Sequence, residues 1–313
     1  MNRNKLEKRI SFADMSISQD LATFSKAISD DIEHGASHIL KIAAGSLHTS
    51  LLKNPNATPL EIKGAVKEYA LRLISGQRQM ATILNFCNLL LLELEESKDE
   101  TALGKNLREY SLSVTRDSTE AMAKIAAHAE KAIEGSQFMT HSRSSTLLHF
   151  LIRMRGRAGL ITYVTQSRPG AEGRLLAGEL AVAGIPTILI EDAESMKYLA
   201  RTSALLVGAD AVIPGGVVNK VGTHMMALAA KELGIPVYCL TETTKIWPFD
   251  EPIIRSISME QSAPISGGGV FEMIPGSAFK AIILESGPVA FDKISINREN
   301  IKIAPEIRKL VGL

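Results

Sequence analysis

The sequence is poor in cysteine and nearly neutral in charge. Its 313 residues include only two cysteines, Cys87 and Cys239, which are far apart and lie in apolar surroundings. This pattern predicts two reduced core thiols in a cytoplasmic protein and argues against a disulfide or a structural metal site. The 35 basic and 34 acidic residues leave a formal charge of +1. Because a nearly neutral protein attracts neither nucleic acid nor anionic lipid by its overall charge, we expect no direct nucleic-acid binding.

Long apolar runs and targeting features are also scarce. The longest apolar run, residues 83–92, is interrupted by Asn85 and Asn88, and it is much shorter than the roughly 20 residues of a membrane span. Residues 1–9 are basic, but a mixed polar stretch follows them in place of the apolar core of a secretory signal. We expect neither a membrane segment nor a signal peptide.

Cofactor motifs are missing as well. The seven histidines form no HExxH pair and no ligand-spaced group with cysteine, which disfavours a metal site. No GxGxxG motif follows a predicted strand, and no GxxxxGK[ST] motif occurs. The sequence therefore predicts neither a nicotinamide cofactor nor a P-loop nucleotide, and we expect a protein without cofactor or metal.

What is present describes a globular chain in two parts. Hydrophobic residues make up 45% of the chain and charged residues 22%, and the length suggests about two domains. In the first part, apolar residues recur at spacings of three and four, which predicts an all-helical N-terminal domain over residues 1–135. The predicted helices are 21–32, 36–52, 59–74, 81–95 and 101–133.

From residue 136 onward, short apolar runs alternate with helical segments. The runs are typical of strands buried on both faces, and they cover residues 138–140, 160–165, 187–191, 205–207, 236–240 and 281–284. The segments between them are long enough for crossover helices, at 144–154, 173–183, 193–200 and 223–233. This alternation predicts an α/β fold, with a Rossmann-like, doubly wound parallel sheet over residues 136–313. Its default ligand crevice lies at the carboxyl ends of the strands.

Polar side chains follow the predicted strands. Among them are Arg143, Arg168, Asp210 and Lys245, with Lys220 on a further loop. Because the strand ends converge at one sheet edge, we expect one crevice with several cations and a single carboxylate. Arginine forks and hydroxyl-rich helix starts bind phosphate, while a carboxylate accepts sugar hydroxyls or transfers protons. The set favours a phosphorylated, polyhydroxylated ligand, although each residue alone also fits a helix cap, a turn or a solvated loop.

A second polar segment lies between these loops. The turn Pro214-Gly215-Gly216 leads toward Thr223, which is a candidate N-cap for the helix at 223–233. Backbone amides in this segment, beside Lys220, either hold an anion or only shape the turn.

Several of these segments together resemble one family. They are Gly208-Ala209-Asp210-Ala211-Val212, Asn219-Lys220-Val221-Gly222-Thr223, Thr241-Glu242-Thr243-Thr244-Lys245, Met139-Thr140-His141-Ser142, Thr165-Gln166-Ser167-Arg168-Pro169 and Phe271-Glu272-Met273-Ile274-Pro275. The family joins the alpha subunit of translation initiation factor 2B to the aldose-1-phosphate isomerases, which act on methylthioribose 1-phosphate or ribose 1,5-bisphosphate. The similarity covers the whole C-terminal half.

The resemblance implies a sugar phosphate bound between a helical and a Rossmann-like domain. It also implies a homodimer or larger homo-oligomer built on the C-terminal domain, which we expect around residues 270–275 and 288–291, and translation initiation factors as partners for the factor branch. In the helical half, Gly35 and Ala36 resemble the family's Arg-Gly-Ala phosphate segment, and Arg78 resembles its Arg-Pro-Thr-Ala segment. These residues and Asn219 thus join Arg143, Arg168, Lys220 and Lys245 as expected ligand contacts.

The resemblance also assigns a pair of catalytic roles. In the isomerases, a cysteine after Thr-His and the aspartate of Gly-Ala-Asp open the sugar ring and move a proton between C2 and C1. Asp210 matches the aspartate, but Ser142 stands in place of the cysteine. A thiol, with a pKa near ~8.5, exchanges protons at neutral pH when its neighbours lower that value, whereas a serine hydroxyl needs an adjacent base. His34 and Gln79 likewise replace the family's arginine and proline.

Three functions follow as hypotheses. The first is a phosphosugar-binding protein similar to the factor 2B alpha subunit, in which Ser142 has ended isomerase catalysis. The alternative is an aldose-1-phosphate to ketose-phosphate isomerase that uses Asp210 and an acid other than the thiol, with His141 as the first candidate. A purely structural protein with an empty crevice is the third, and it predicts no phosphate site.

Overall fold

The computed structural model describes residues 16–31, 35–78, 80–97, 99–247, 270–297 and 301–311. Its N-terminal region is helical, as the sequence predicts, and the helices bury their apolar stripes in a common core. They are α1 (Ile17–Ser29), α2 (Ala36–Lys53), α3 (Pro59–Gly76), α4 (Ala81–Glu96) and α5 (Leu103–Ala132). Within the described part of the chain, no helix combines the length and apolarity that a membrane crossing needs.

Capping boxes determine where α1 and α3 begin. The Ser16 hydroxyl accepts the N–H of Gln19 at 3.4 Å, and the Gln19 side chain accepts the N–H of Ser16 at 3.0 Å. Thr58 and Glu61 repeat this arrangement at the start of α3. Each box satisfies backbone donors that a helix start leaves open. The first of them explains why α1 begins four residues before the predicted start at residue 21.

The long helix α5 belongs to both halves of the molecule. It spans 30 residues, or about 45 Å at 1.5 Å per residue. Leu103 and Leu107 near its start are buried in the helical core, whereas Ile125 and Ala129 near its end are buried against the main sheet. A single continuous helix therefore ties the position of one half to the other.

The main sheet carries the predicted parallel strands. In chain order they are β1 (Gln137–Thr140), β2 (Ile161–Thr165), β3 (Thr187–Ile190), β4 (Ala204–Val207), β7 (Val237–Leu240) and β9 (Ala281–Leu284), with β10 (Gly287–Val289) added antiparallel at one edge. The spatial order is β10-β9-β7-β4-β1-β2-β3. The chain reverses direction from β1, which is the topology of a doubly wound sheet and confirms the α/β fold.

Helices cover both faces of this sheet. Along β1, Phe138 is buried with α6 (Ser145–Arg153) and α7 (Glu172–Val182), whereas Met139 is buried with α8 (Ser195–Leu199) and α9 (Thr223–Glu232). Neighbouring strand residues point to opposite faces, so a strand covered on both sides reads as a continuous apolar run. This is why the apolar runs in the sequence predicted these strands well.

A second, antiparallel sheet was not predicted. It consists of β5 (Ala211–Ile213), β6 (Gly216–Lys220) and β8 (Phe271–Pro275), with β6 in the middle. Gly215 turns the chain between β5 and β6 with a φ of 89°, a conformation that glycine adopts without strain. The β8 strand joins them from a distant part of the sequence, and the sheet holds Asp210 and Lys220 at its ends.

The last described helix, α10 (Pro305–Val311), returns to the helical region. Ile303, Ala304 and Ile307 are buried in the same core as α2 and α4. Asn88 of α4 holds this segment, because its side chain donates to the carbonyl oxygen of Lys302 at 2.8 Å and accepts the N–H of Ala304 at 2.9 Å. The division of the chain at residue 135 stays a prediction, with α10 packed on the N-terminal side of it.

Candidate functional site

A cavity lies between the helical region and the carboxyl ends of the main sheet. It brings together most of the residues that the sequence predicts for a ligand site, namely Gly35, Ala36, Ser142, Arg143, Asp210, Asn219, Lys220 and Lys245. Loops after β1, β4 and β7 of the main sheet contribute to it, as expected for strand ends that meet at one edge, and the end of β6 adds Asn219 and Lys220 from the second sheet. The start of α2 closes the cavity from the helical side.

The start of α6 forms one wall. After β1, Ser142 takes a left-handed φ of 67°, and its N–H donates to the Ser167 hydroxyl at 2.6 Å. Ser144 then caps α6 by accepting the N–H of Leu147 at 3.3 Å. The sharp turn places Ser142, Ser144 and Ser145, at the start of α6, in the cavity lining. A helix N-terminus of this kind favours a bound anion.

The start of α2 forms the facing wall. Gly35 is its N-cap and provides no capping side chain. No described residue accepts the N–H groups of Ala36 and Ser37, so these donors remain available at the cavity. A side-chain Cβ on Gly35 would lie 3.4 Å from the carbonyl oxygen of Arg143, so the two walls approach each other closely here.

Each cation of the cavity has a different environment. The Arg143 guanidinium donates to both carboxylate oxygens of Glu179, at 3.0 and 2.6 Å. Lys220 donates to Glu172 at 2.7 Å in a buried ion pair. Lys245 is only 4% exposed, and its ammonium meets no carboxylate within ion-pair distance in the described part of the chain. A buried ammonium without an ion-pair partner at a cavity attracts an anion.

Asp210 is the predicted acid/base residue of the site. It follows β4 and lines the cavity while only 8% exposed. Burial raises the pKa of its carboxyl group to about 6, a rise that nearby Lys245 opposes and Glu172 reinforces. The backbone is fixed from both sides, since its N–H donates to Val218 at 2.9 Å and its carbonyl accepts the N–H of Ala81 at 3.2 Å. A carboxyl group with such a pKa is suited to proton transfer near neutral pH.

His141 is the candidate acid of the isomerase hypothesis, but its ring bonds to other parts of the fold. Its Nδ1 lies 2.7 Å from the Thr165 hydroxyl, and its Nε2 lies 2.8 Å from the carbonyl oxygen of Val221. Because a carbonyl only accepts, Nε2 carries the proton. Burial lowers the pKa of His141, which favours the neutral ring. With both nitrogens engaged between β1, β2 and the β6–α9 loop, His141 is a structural residue and does not line the cavity.

Two predicted contacts lie away from the cavity lining. Arg168 is exposed, and its guanidinium donates to the Gln166 side chain at 3.0 Å while its N–H donates to Asp192 at 2.7 Å. The expectation that Arg168 shares the crevice is therefore not met. Arg78 is exposed at the end of α3 and donates to the carbonyl oxygen of Ser75 at 3.2 Å. His34 and Gln79, the neighbouring substitutions, lie outside the described residues.

The amide cluster before α9 serves the fold. Glu272 of β8 accepts the N–H groups of Gly222 at 2.7 Å and His224 at 2.8 Å, so its carboxylate occupies the place of an anion. Gly222, with a φ of 101°, is the N-cap of α9 in place of the predicted Thr223. Of the two readings left open for this segment, the structural one is correct.

Sequence reasoning missed Glu172 and Glu179. It expected a single carboxylate in the crevice, but Glu172 at the start of α7 also lines the cavity and Glu179 binds Arg143. The signal available was their spacing of seven residues, which places both on one face of a helix. Asp31 is a further carboxylate in the lining.

Comparison with known proteins identifies the family. Residues 32–263 match the Initiation factor 2 subunit family, and the chain belongs to it. An eIF-2B subunit 2-like protein of Pyrococcus abyssi is 29% identical over 234 residues, which are 73% of this chain and 82% of that protein. A ribose 1,5-bisphosphate isomerase of Thermococcus kodakarensis is 26% identical, with 75% of each chain covered. The family therefore joins relatives named as translation factors and relatives named as isomerases.

Solved structures agree with this assignment. The Pyrococcus horikoshii OT3 translation initiation factor eIF-2B superposes with a TM-score of 0.75 at 27% identity, covering 86% of this chain and 96% of that chain. The 5-methylthioribose 1-phosphate isomerase of the same organism has a TM-score of 0.72 at 20% identity, covering 91% and 88%. At that identity the second similarity concerns the fold alone.

Proposed function

We propose that this chain binds a phosphorylated sugar in the cavity between its helical and sheet regions and does not isomerise it. The observation that carries the proposal is the buried ammonium of Lys245, which has no carboxylate partner among the described residues and faces the same cavity as two helix N-termini. A phosphate would pair with this ammonium and accept the open N–H groups of Ala36 and Ser37.

The rest of the cavity suits a sugar. The carboxylate of Asp210 accepts no hydrogen bond from a described side chain, which leaves it open to sugar hydroxyls. Asn219 is buried beside it and is oriented by donating to the Thr223 hydroxyl at 3.2 Å. Polar groups that are buried and partly unsatisfied favour a ligand able to hydrogen-bond with them.

Loss of turnover is argued from Ser142. Its hydroxyl lines the cavity, and no described side chain lies within hydrogen-bond distance of it as a base. His141, the next residue, has both ring nitrogens engaged elsewhere. A serine without a base does not exchange a proton at neutral pH, and the acid half of the family's catalytic pair is therefore missing.

One observation favours the alternative of an aldose-1-phosphate to ketose-phosphate isomerase. The pKa of Asp210 is raised to about 6 by burial, a value typical of a general base or acid that works at neutral pH. In that case Asp210 moves the proton between C2 and C1, and a group other than the Ser142 hydroxyl assists ring opening.

We also propose association with other chains. Relatives include an eIF-2B subunit 2-like protein and the tetrameric eIF2B-beta2-delta2 complex of C. thermophilum. In this chain Val270 and Met273, within the segment expected at a dimer interface, are 41% and 44% exposed. Light scattering tests the homodimer, and a single chain's mass at micromolar concentration contradicts it. Co-purification with translation initiation factor subunits tests the second partner class in a cytoplasmic extract.

The binding experiment uses thermal shift followed by calorimetric titration. The probes are ribose 5-phosphate, ribose 1,5-bisphosphate and 5-methylthioribose 1-phosphate, with ribose and inorganic phosphate as partial ligands. A ligand at about 100 times its Kd adds ~2.7 kcal/mol of stability, a readily measured shift. A coupled isomerase assay on the best binder then separates binding from turnover.

A matched pair of variants checks the site. Lys245→Met should weaken the best phosphosugar at least about tenfold, because an ion pair of a phosphate with a buried cation is lost. Lys231→Met, at an exposed position near the end of α9, should leave binding unchanged. Absence of binding by every phosphosugar overturns the proposal and supports a structural protein, whereas wild-type turnover supports the isomerase.

A further inference from the structure

Helix α7 carries a pair of glutamates that the family resemblance did not single out. Glu172 is its first residue, and Glu179 lies seven residues later. Residues seven apart lie on the same helix face, and both carboxylates reach the cations beside the cavity. Each of them neutralises a residue that was expected to hold phosphate.

The first pair is Glu172 with Lys220. The ammonium donates to Oε1 at 2.7 Å, with 3% and 13% of the Lys220 and Glu172 side chains exposed. The other oxygen, Oε2, is buried without a partner. At this distance and burial the positive charge of Lys220 is matched by a negative one, and an incoming phosphate would have to approach the same carboxylate.

The second pair is Glu179 with Arg143. Nε and Nη2 of the guanidinium donate to the two oxygens of Glu179, at 3.0 and 2.6 Å. Arginine binds a phosphate with the same two-point geometry. Since Glu179 occupies that fork, Arg143 offers only its remaining nitrogen, Nη1, which is buried without a partner.

The charge balance of the cavity follows from these pairs. Among the described lining residues, the cations Arg143, Lys220 and Lys245 meet the carboxylates Asp31, Glu172 and Asp210, and Glu179 stands behind Arg143. Lys245 is left as the cation without an ion-pair partner in this set. One phosphate, with about −1.5 to −2 charges, would bind at Lys245 and the helix starts. A second would place a similar charge near Glu172 and Asp210.

From this arrangement we infer that the cavity selects a sugar carrying a single phosphate over a bisphosphate, and that Glu172 and Glu179 of α7 determine this selectivity. The inference rests on the proposed phosphosugar binding and names the class of ligand. The phosphate lies at Lys245 and the start of α2, while the sugar hydroxyls face the carboxylates of Glu172 and Asp210, which accept their hydrogen bonds.

Calorimetric titration at one fixed ionic strength tests the inference with ribose 5-phosphate, ribose 1-phosphate and ribose 1,5-bisphosphate. Wild type should bind one of the monophosphates at least about tenfold more tightly than the bisphosphate, because like charges inside a cavity repel strongly. Glu172→Gln keeps the shape and removes the charge. It should tighten bisphosphate binding about tenfold and so reduce the preference for the monophosphate.

Controls separate charge from folding. Glu179→Gln frees the Arg143 fork and should shift the preference in the same direction as Glu172→Gln, so either variant suffices if the other does not fold. Glu232→Gln, at an exposed position at the end of α9, should leave the ratio unchanged. A wild-type preference for the bisphosphate, or a ratio unmoved in both α7 variants, overturns the inference alone. Absence of binding by all three sugars overturns the proposed function as well.

Discussion

The hydroxyl of Ser37 donates to the carboxylate of Glu242 at 2.8 Å, and the two residues stand 205 positions apart in the chain. Ser37 lies in the first turn of α2, and Glu242 lies in the loop after β7 that continues to Lys245. Both are buried, with 4% and 0% exposure. This bond joins the start of α2, which carries the unbonded N–H groups of Ala36 and Ser37, to the loop that carries Lys245.

Ser37→Ala should destabilise the protein and weaken ligand binding together. The other oxygen of Glu242 already lacks a partner, so the variant would leave the whole buried carboxylate unsatisfied, at a cost of about 1–3 kcal/mol. Urea unfolding and phosphosugar titration measure both effects. Ser18→Ala, at an exposed position of α1, is the control. Equal stability of Ser37→Ala and wild type would contradict the role assigned to this bond.

Asp210→Asn should stabilise the protein above neutral pH. The folded protein holds the Asp210 proton up to a pKa of about 6, against 3.8 for the ordinary group. The stabilisation from the protonated group is therefore complete below about pH 3.8 and is lost as the pH rises through about 6. Asparagine stays neutral, and the variant should gain about 1–3 kcal/mol at pH 7.5.

That gain should shrink as the pH falls toward about 4, where the wild-type carboxyl group is also neutral. Urea unfolding at several pH values measures the difference between the two proteins. Glu120→Gln, at an exposed carboxylate on α5, is the control variant. A stability difference that is constant with pH would show that the pKa of Asp210 is not raised.

Asn85→Ala and Asn88→Ala separate two functions of α4. Asn85 donates to the carbonyl oxygens of Thr244 at 2.8 Å and Ile246 at 2.9 Å, on either side of Lys245. Its removal should weaken phosphosugar binding about threefold to tenfold, because a loosened Lys245 pays more ordering entropy on binding. Titration measures this effect in both variants.

Asn88, one turn further along α4, bonds the C-terminal segment instead. Asn88→Ala should raise hydrogen exchange in residues 301–311, since local opening follows the loss of buried bonds, and should leave ligand affinity nearly unchanged. The same exchange experiment on Asn85→Ala should show no effect in that segment. If both variants behave alike, the two asparagines do not have separate roles.

Ser142→Cys tests the origin of the missing catalysis. We expect wild type to bind a pentose phosphate without measurable isomerisation, and the variant to bind it with nearly the same affinity, because one oxygen is exchanged for one sulfur. Isomerisation should become detectable in Ser142→Cys and disappear again in the double variant with Asp210→Asn. Wild-type turnover that survives Ser142→Ala would overturn the binding-only proposal and assign the acid to another group.

Much of the architecture depends on patterns among neighbouring residues and could therefore be predicted from the sequence. The strand at Ala281–Leu284 agrees with its predicted bounds, and the helix at Leu103–Ala132 agrees within two residues at its start and one at its end. Strands covered on both faces and amphipathic helices each leave a pattern of apolar residues that depends only on near neighbours. The antiparallel sheet leaves no such pattern, because β8 pairs with β6 across 51 to 59 positions of the chain, and no local pattern encodes that pairing.

The same distinction holds for the site. That Arg143, Asp210 and Lys245 share one edge follows from their positions after parallel strands, and the sequence by itself determined this. Lys220 reaches the same site from the end of β6, in the antiparallel sheet. Only the tertiary structure decided which charges remain free. Glu172 and Glu179 pair with their cations across 48 and 36 positions of the chain, while Arg168 bonds to Gln166 outside the cavity. An ion pair depends on distances of a few ångströms between side chains from separate elements, and chain order does not specify them.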